Sequence, residues 1–491
     1  MEGDAGLTYS STAGKWVIFA TVLGSAMASI DGTVVGIALP TIGRQFHSPL
    51  VDMQWVVTGY MLALTALLIV GGTLGDQFGR RRVFLVGVVW FAVASAACAA
   101  APDVTVLVVT RILQGAGAAL LMPGSLAILQ ATFAPEDRGR AIGAWSGLGG
   151  VATAAGPLLG GYLISAVSWR WIFVINLPLA AAVILVTVRH VPETREPGAR
   201  RVDVAGAVLV VLALTGVTYG LLEGPSLGWA EPAVLAMLIV GAASGALFLT
   251  WERRVDEPMV PLAVFRRHQF TATNGVTFLV YAALSGALFL LPVQLQVVDH
   301  ETALQAGVAL LPVTVIMLVL SARSGRLAGR IGPRLQMSVG PVVVGIGLAM
   351  LERTGSDTSY WSGALPALVV FGLGLAATVA PLTATALGAV DAEHAGLASA
   401  VNNDVARAGG LVAVAVLPAL AGIGQRAYLH APAMASGFRT ASFITAGWCV
   451  AGGLLAAATI QNPGREARHR HRQGTACAHC ALDASPMAVD A

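Results

Sequence analysis

Fourteen times along this chain, about 20 consecutive residues are almost wholly apolar, each run long enough to cross about 30 Å of hydrocarbon as a helix. The runs fall at 16–39, 53–71, 83–101, 104–131, 141–164 and 171–189, then at 204–222 and 233–251, then at 271–297, 304–322, 335–351, 361–386, 397–423 and 438–460. Backbone N–H and C=O groups find no water in a bilayer core, so segments of this kind must satisfy their hydrogen bonds internally, as helices. The expectation is an all-α integral membrane protein with 14 transmembrane helices. Composition agrees, since 56% of the residues are hydrophobic and 11% charged, roughly half the charge of an ordinary soluble chain.

A short polar segment divides the second run from the third. From Gly72 to Arg82 it carries glycines and three consecutive arginines, and its skeleton returns later in the chain. Gly72, Leu74, Gly79 and Arg81 match Gly325, Leu327, Gly332 and Arg334 at one constant offset. Glycine lets two helix ends approach, and arginines hold such a turn out of the hydrocarbon. Each copy follows the second run of a set of six, so the chain reads as two related halves with the runs at 204–251 inserted between them. The second copy has Gly329 where Asp76 would fall, which suggests that the acid acts in one half.

The segments follow in order. Residues 1–15 precede the first bundle, 16–189. A linker at 190–203, rich in Arg, Glu and Pro, leads to the inserted pair at 204–251. A second linker, 252–270, leads to the second bundle at 271–460, and 461–491 form a polar tail. Placing both termini in the cytoplasm keeps most of the 29 basic residues there, including Arg80 to Arg82, Arg253, Arg254, Arg266, Arg267 and the arginines between 323 and 334. The opposite orientation violates the positive-inside rule. The predicted location is therefore the cytoplasmic membrane, with Arg465, Arg468, Arg470 and Arg472 of the tail near anionic lipid headgroups.

Several function classes drop out. The single lysine, Lys15, lies in Gly14-Lys15-Trp16, which is no phosphate-binding loop, and no other lysine is available for a Schiff base. Cys98 and Cys449 lie within apolar runs, and Cys477 and Cys480 form one CxxC in the tail, a pattern read as unstructured chain rather than a metal site. The expectation is no metal, no cofactor, no enzyme activity and no nucleic-acid partner; the oligomeric state is left open, a monomer sufficing.

Ionisable groups inside the membrane are costly and mark functional positions. Asp31 lies mid-run, and Arg111 lies within the fourth. Removal from water favours the neutral acid of Asp31, so it can load and release a proton. The alternative is permanent neutralisation by Arg111 in a static bridge between helices. Asp404 and Arg407 in the thirteenth run are three residues apart, on one helix face, where a local ion pair is the first expectation and a cation-binding role for Asp404 the second. Trp55, Tyr60 and Trp145 are candidates to face a cavity, as are Gln114, Gln294 and Gln296. Trp169, Trp171, Trp229 and Trp361 read as interfacial anchors.

These stretches bear a family likeness. The loop at Gly72, Leu74, Gly75, Asp76, Gly79, Arg80, Arg81 and Arg82 resembles the hallmark loop of the major facilitator superfamily. Asp31-x-Thr33 leading to Ala38-Leu39-Pro40 resembles the first-helix motif of its fourteen-spanner drug:proton antiporters, with Gly36 where Asn is usual. Leu107-x-x-x-Arg111-x-x-Gln114-Gly115-x-Gly117 is similar to the family's fourth-helix motif, and Gly156-Pro157-x-x-Gly160-Gly161 to its antiporter motif. Further matches are Trp55 to Tyr60, Trp169 to Phe173 with Asn176-x-Pro178, and Gly307 to Pro312. Asp404 departs from the family pattern.

The resemblance implies a major facilitator fold: two six-helix bundles, two inserted helices and alternating access around a midplane cavity. It implies proton-driven export of a small hydrophobic drug or antibiotic, with Asp31 and Arg111 coupling proton to cargo. It also implies that Asp76 latches onto a helix start in the opposite half. An uptake carrier on the same fold, or a membrane sensor without flux, are the rival readings.

Overall fold

The computed structural model describes residues 6–196, 198, 202–256, 258–355, 358–390, 395–425 and 430–462. Within these, 14 helices are long and apolar enough to cross a membrane. The first bundle contains α1 (Thr12–Phe46), α2 (Leu50–Phe78), α3 (Arg80–Ala100), α4 (Val104–Thr132), α5 (Pro135–Ala166), α6 (Trp171–Val174) and α7 (Asn176–His190). The inserted pair is α8 (Val204–Leu227) and α9 (Pro232–Glu252). The second bundle contains α10 (His268–Val297), α11 (Ala303–Ala309), α12 (Leu311–Ile331), α13 (Pro333–Met350), α14 (Ala364–Gly388), α15 (Ala395–Leu420) and α16 (Ala431–Thr459). Six helices, α1, α2, α5, α8, α12 and α16, overrun their apolar stretch by a turn or more.

The tenth run departs from the expectation of one helix. It is broken between α11 and α12 at Leu310, where Pro312 occupies the first turn of α12. Proline has no N–H to give the preceding turn, and its ring obstructs the carbonyl four residues back.

The glycine-arginine segment is also less of a loop than its sequence suggests. Helix α2 continues through Phe78, α3 begins at Arg80, and the turn is Gly79 alone, at φ 110°. Its counterpart Gly332 makes the same one-residue turn between α12 and α13, at φ 91°. A side chain would be strained in that region, which accounts for glycine at both matched positions.

The inserted pair packs on itself and along the seam between bundles. Gly216 of α8 and Gly241 of α9 meet backbone to backbone, since a Cβ on Gly241 would stand 2.7 Å from the Val217 nitrogen. Val51 of α2, Leu222 of α8 and Ala415 of α15 form one buried cluster, so α8 covers the line where the bundles join.

Two ends of the molecule are distinguished by their contacts. At the end away from the arginine turns, Leu50 N donates to Gln425 O at 2.8 Å, Gln54 Nε2 to Val414 O at 2.6 Å and Gln296 Nε2 to Ile37 O at 2.9 Å. A Cβ on Gly161 of α5 would sit 2.6 Å from the Ala303 carbonyl oxygen, so α5 and α11 touch through backbone. Further along α5, toward the arginine turns, Gly143, Gly147 and Gly150 line one face, and a Cβ on any of them would meet nothing within 4 Å. The bundles are closed on each other at one end and part along α5 toward the other.

Candidate functional site

Asp31 stands midway along the 35-residue α1 and is 1% exposed, as is Arg111 of α4. Gly115 lets α4 approach α2 closely, because a Cβ there would lie 3.1 Å from that of Ala63. Arg111 and Gln114, three residues apart, therefore share the face that meets α1 and α2. Arg111 Nη1 donates to Asp31 Oδ2 and, at 2.6 Å, to Gln114 Oε1, while its Nε donates to Val56 O at 3.1 Å. The guanidinium also lies over the Tyr60 ring, 4.2 Å from its centroid, and 5.8 Å from that of Phe173.

The second carboxylate oxygen is served by amides. Gln114 Nε2 donates to Asp31 Oδ1 at 2.9 Å and to Ser95 Oγ at 2.7 Å. Asn176, at the start of α7, donates through Nδ2 to the same Oδ1 at 3.3 Å and to Ser95 Oγ at 3.2 Å. Asp31 thus takes donors from a cation and two neutral side chains, all buried. Pairing plus full hydrogen bonding is what makes a charge tolerable away from water. In the sequence Asp31 and Arg111 stand out and Gln114 reads as a cavity residue, whereas Ser95, and Asn176 beyond its place in a family segment, carry no signal except that each is a lone polar residue between apolar neighbours.

The remaining cavity candidates are dispersed. Tyr60 belongs to the Asp31 site, its hydroxyl donating to Ala28 O at 3.1 Å. Trp55 donates through Nε1 to Glu223 of α8 at 2.8 Å, fastening the inserted pair. Trp145 donates to Ser25 Oγ at 2.8 Å and remains half-buried. Gln296 helps close the far end, and Gln294, fully buried there, donates to Thr354 O at 3.5 Å. Trp171, Trp229 and Trp361 are exposed, but Trp169 is not the interfacial anchor expected: it is 1% exposed, with Nε1 bonded to Gln45 Oε1 at 2.6 Å and Arg170 stacked 4.4 Å above it.

Two expected pairings are absent. Asp404 and Arg407 form no ion pair; Asp404 Oδ1 is buried without a hydrogen-bond partner. Arg407 reaches away from α15 across the seam to the Met122 sulfur of α4, at 3.7 Å. Asp76, the expected latch, is held in its own half by Arg80 at 2.8 Å. Arg80 also pairs with Glu196 of the following linker at 2.9 Å, and Glu193 accepts from the Arg81 N–H at 3.1 Å. The parting of the bundles at this end leaves the acid to its helical neighbour four residues on.

The antiporter-motif glycines are contact points. A Cβ at Gly156 would collide with Thr33, and one at Gly160 would stand 2.8 Å from Val34 Cγ1, so this stretch of α5 rides on α1 just beyond Asp31. Pro157 presents its carbonyl to Gly307 of α11.

At the closed end of the second bundle, a separate cavity of about 410 Å³ is lined by Asp299, Glu301, Gln305, Tyr360 and Trp361, among others. Burial pushes the Asp299 carboxyl up to about 6, with the Glu301 charge adding to the shift. Cys98 and Cys449 are buried free thiols. Among the described residues no cluster of His, Cys, Asp and Glu could hold a metal; Cys477, Cys480 and the tail arginines lie outside them.

A model of the Major Facilitator Superfamily matches residues 21–415. The tetracenomycin C resistance and export protein of Streptomyces glaucescens is 37% identical over 414 residues, 82% of this chain and 75% of that protein. The multidrug resistance protein Stp of Mycobacterium tuberculosis is 37% identical over 407 residues, 82% of this chain and 74% of that protein. The puromycin resistance protein pur8 of Streptomyces alboniger is 35% identical over 419 residues, 84% of this chain and 83% of that protein. Among solved structures, a bacterial homologue of the human lysosomal transporter Spinster, in an inward-facing and unoccupied conformation, superposes with a TM-score of 0.65 at 16% identity, covering 93% of this chain and 100% of that one.

Proposed function

This chain belongs to the Major Facilitator Superfamily, and from that membership we propose that it is a proton-driven exporter of small hydrophobic compounds, antibiotics among them, across the cytoplasmic membrane. Its relatives named for antibiotic resistance and export support the direction and the kind of cargo. The observation that carries the reading is Asp31: a carboxylate at mid-membrane, 1% exposed, whose donors include one permanent cation. An oily carrier that moved its cargo passively would have no use for such a costly group.

Arginine-rich turns lie on the cytoplasmic face by the positive-inside rule, so the closed end faces outward and the bundles part toward the cytoplasm. Cargo enters there while Asp31 is ionised and clasped by Arg111. Rocking of the bundles then opens the outer end. A proton arriving from outside neutralises Asp31, weakens its attraction for Arg111 and frees the site to release cargo. Return with the proton aboard, and its loss to the cytoplasm, completes the exchange.

Everted membrane vesicles test this. With an acid lumen, ethidium or puromycin is expected to accumulate in vesicles carrying the wild-type chain and to leak away when a protonophore collapses the gradient. Asp31→Asn is expected to abolish accumulation while leaving cargo binding measurable. Accumulation that survives the protonophore, or an Asp31→Asn variant with undiminished flux, would remove the proton from the mechanism.

A further inference from the structure

Taking up a proton changes what Asp31 needs from its neighbours. The carboxylate accepts hydrogen bonds only; the acid must also place one O–H on an acceptor. Arg111 has no acceptor atom. Gln114 has one, but its Oε1 already receives Arg111 Nη1 at 2.6 Å, and the Cys98 thiol at 3.6 Å, which fixes its amide with the NH2 group toward Asp31. Turning it over would take that acceptor away from both donors and leave an NH2 group facing a guanidinium.

Asn176 is under no such constraint. Its Nδ2 contacts are Asp31 Oδ1 at 3.3 Å and Ser95 Oγ at 3.2 Å. A hydroxyl can accept or donate, so Ser95 tolerates either end of the amide. A carboxyl group reverses from acceptor to donor when it is protonated.

We propose that Asn176, backed by Ser95, is the positioning residue that lets Asp31 change protonation state inside the membrane: its amide donates to the carboxylate and, turned over, accepts from the acid. The idea rests on the antiport reading above and names the side chain that makes that reading chemically affordable. The proton comes from water on the acidic face and forms one bond, the new O–H of Asp31. Asn176 exchanges no proton; it rotates, its Oδ1 then receiving the Asp31 O–H and the Ser95 O–H. Without it the acid form has no acceptor, and an unsatisfied buried donor is costly.

The sign of the effect separates this role from that of a plain donor. Loss of Asn176 takes one donor of three from the carboxylate but the sole available acceptor from the acid. Asn176→Leu is therefore expected to make Asp31 bind its proton about tenfold more weakly, the order of penalty for one unsatisfied buried group. A residue that merely stabilised the carboxylate would produce a shift in the opposite direction. The other titratable and charged groups facing Asp31, which are Arg111, Tyr60 and Cys98, with Arg407 beyond Tyr60, are the same in both proteins.

The measurement is infrared difference titration of the Asp31 acid C=O band on full-length protein in lipid, with Asp31→Asn identifying the band. In Asn176→Leu the band should appear only at a pH about one unit lower, and it should vibrate as an unbonded acid. Asn176→Ser, whose hydroxyl can donate or accept, should return the midpoint most of the way. Should the Leu variant fail to insert, Ser95→Ala is expected to move the midpoint in the same direction by less. An unchanged or raised midpoint in Asn176→Leu, or in Ser95→Ala if that is the variant measured, overturns the proposal. If the wild type shows no titrating Asp31 band, the antiport reading itself has failed, and this role falls with it.

Discussion

Arg111 in the first bundle and Arg407 in the second each lie within a membrane helix near an aspartate, but they have different partners. Arg111 donates to Asp31, to Gln114 and to a backbone carbonyl, and stacks on Tyr60. Arg407 points at the sulfur of Met122, and Asp404, one turn before it, keeps an oxygen buried with no partner. The glycine turns repeat the contrast. Arg80 is shared between Asp76 and Glu196, whereas the second turn has Gly329 in place of the acid and its Arg334 bonds the Ala457 carbonyl at 2.7 Å. The first bundle holds its charges in closed networks suited to two defined states, and the second leaves a carboxylate oxygen unmet at the seam.

The largest expected difference lies between the arginines. Arg111→Gln strands Asp31 at 1% exposure with no counter-ion, a loss of about 3–5 kcal/mol. Detergent-extracted protein should melt far earlier or fail to fold, and adding Asp31→Asn should recover much of the loss. Arg407→Gln forfeits a contact to sulfur and an unbonded attraction to Asp404, and should cost under about 1 kcal/mol. Equal losses in size-exclusion melting curves would show that the second arginine has a partner of comparable worth.

Asp404→Asn comes next. Because the carboxylate has no hydrogen bond to lose at Oδ1, the variant should be at least as heat-stable as the wild type. If Asp404 is where a positively charged cargo is met, affinity for a cation such as ethidium should fall about tenfold, or 1.4 kcal/mol, while a neutral compound is unaffected. Equal weakening for both compounds would make the residue structural.

Much of this was legible from the chain. Asp31 and Arg111 stand out because charge inside an apolar run has few explanations, and the paired turns because glycine and arginine recur at one offset. What could not be read was partnership. Gln114 and Gln296 are alike in sequence, yet one completes the Asp31 network and the other joins the bundles at Ile37, a distinction made by helix rotation and by which end of the molecule is closed. Spacing placed Asp404 and Arg407 on one face but said nothing of Met122 on the other bundle, toward which Arg407 extends. Trp169 looked like an interfacial tryptophan because its burial beneath Arg170 depends on Phe46 and Gln45 of a distant helix end.

The smallest effects are expected at the turns. Asp76→Asn leaves Arg80 paired with Glu196, so the fold should be unchanged and any effect confined to the conformation in which the bundles meet at this end. An exposed acid near a helix start is worth about 0.3–1 kcal/mol, which slows the closing step about two- to fivefold and leaves cargo affinity alone. The reciprocal change is Gly329→Asp, which has open space around it and, among the described residues, no acid paired with the arginines of its turn. If the latch depends on the network of Asp76, Arg80, Glu193 and Glu196 rather than on the acid alone, Gly329→Asp should leave turnover in vesicles within experimental scatter, and should not restore Asp76→Asn. Rescue of Asp76→Asn by the second acid would mean that the turns are interchangeable and that the asymmetry between the bundles begins only inside the membrane.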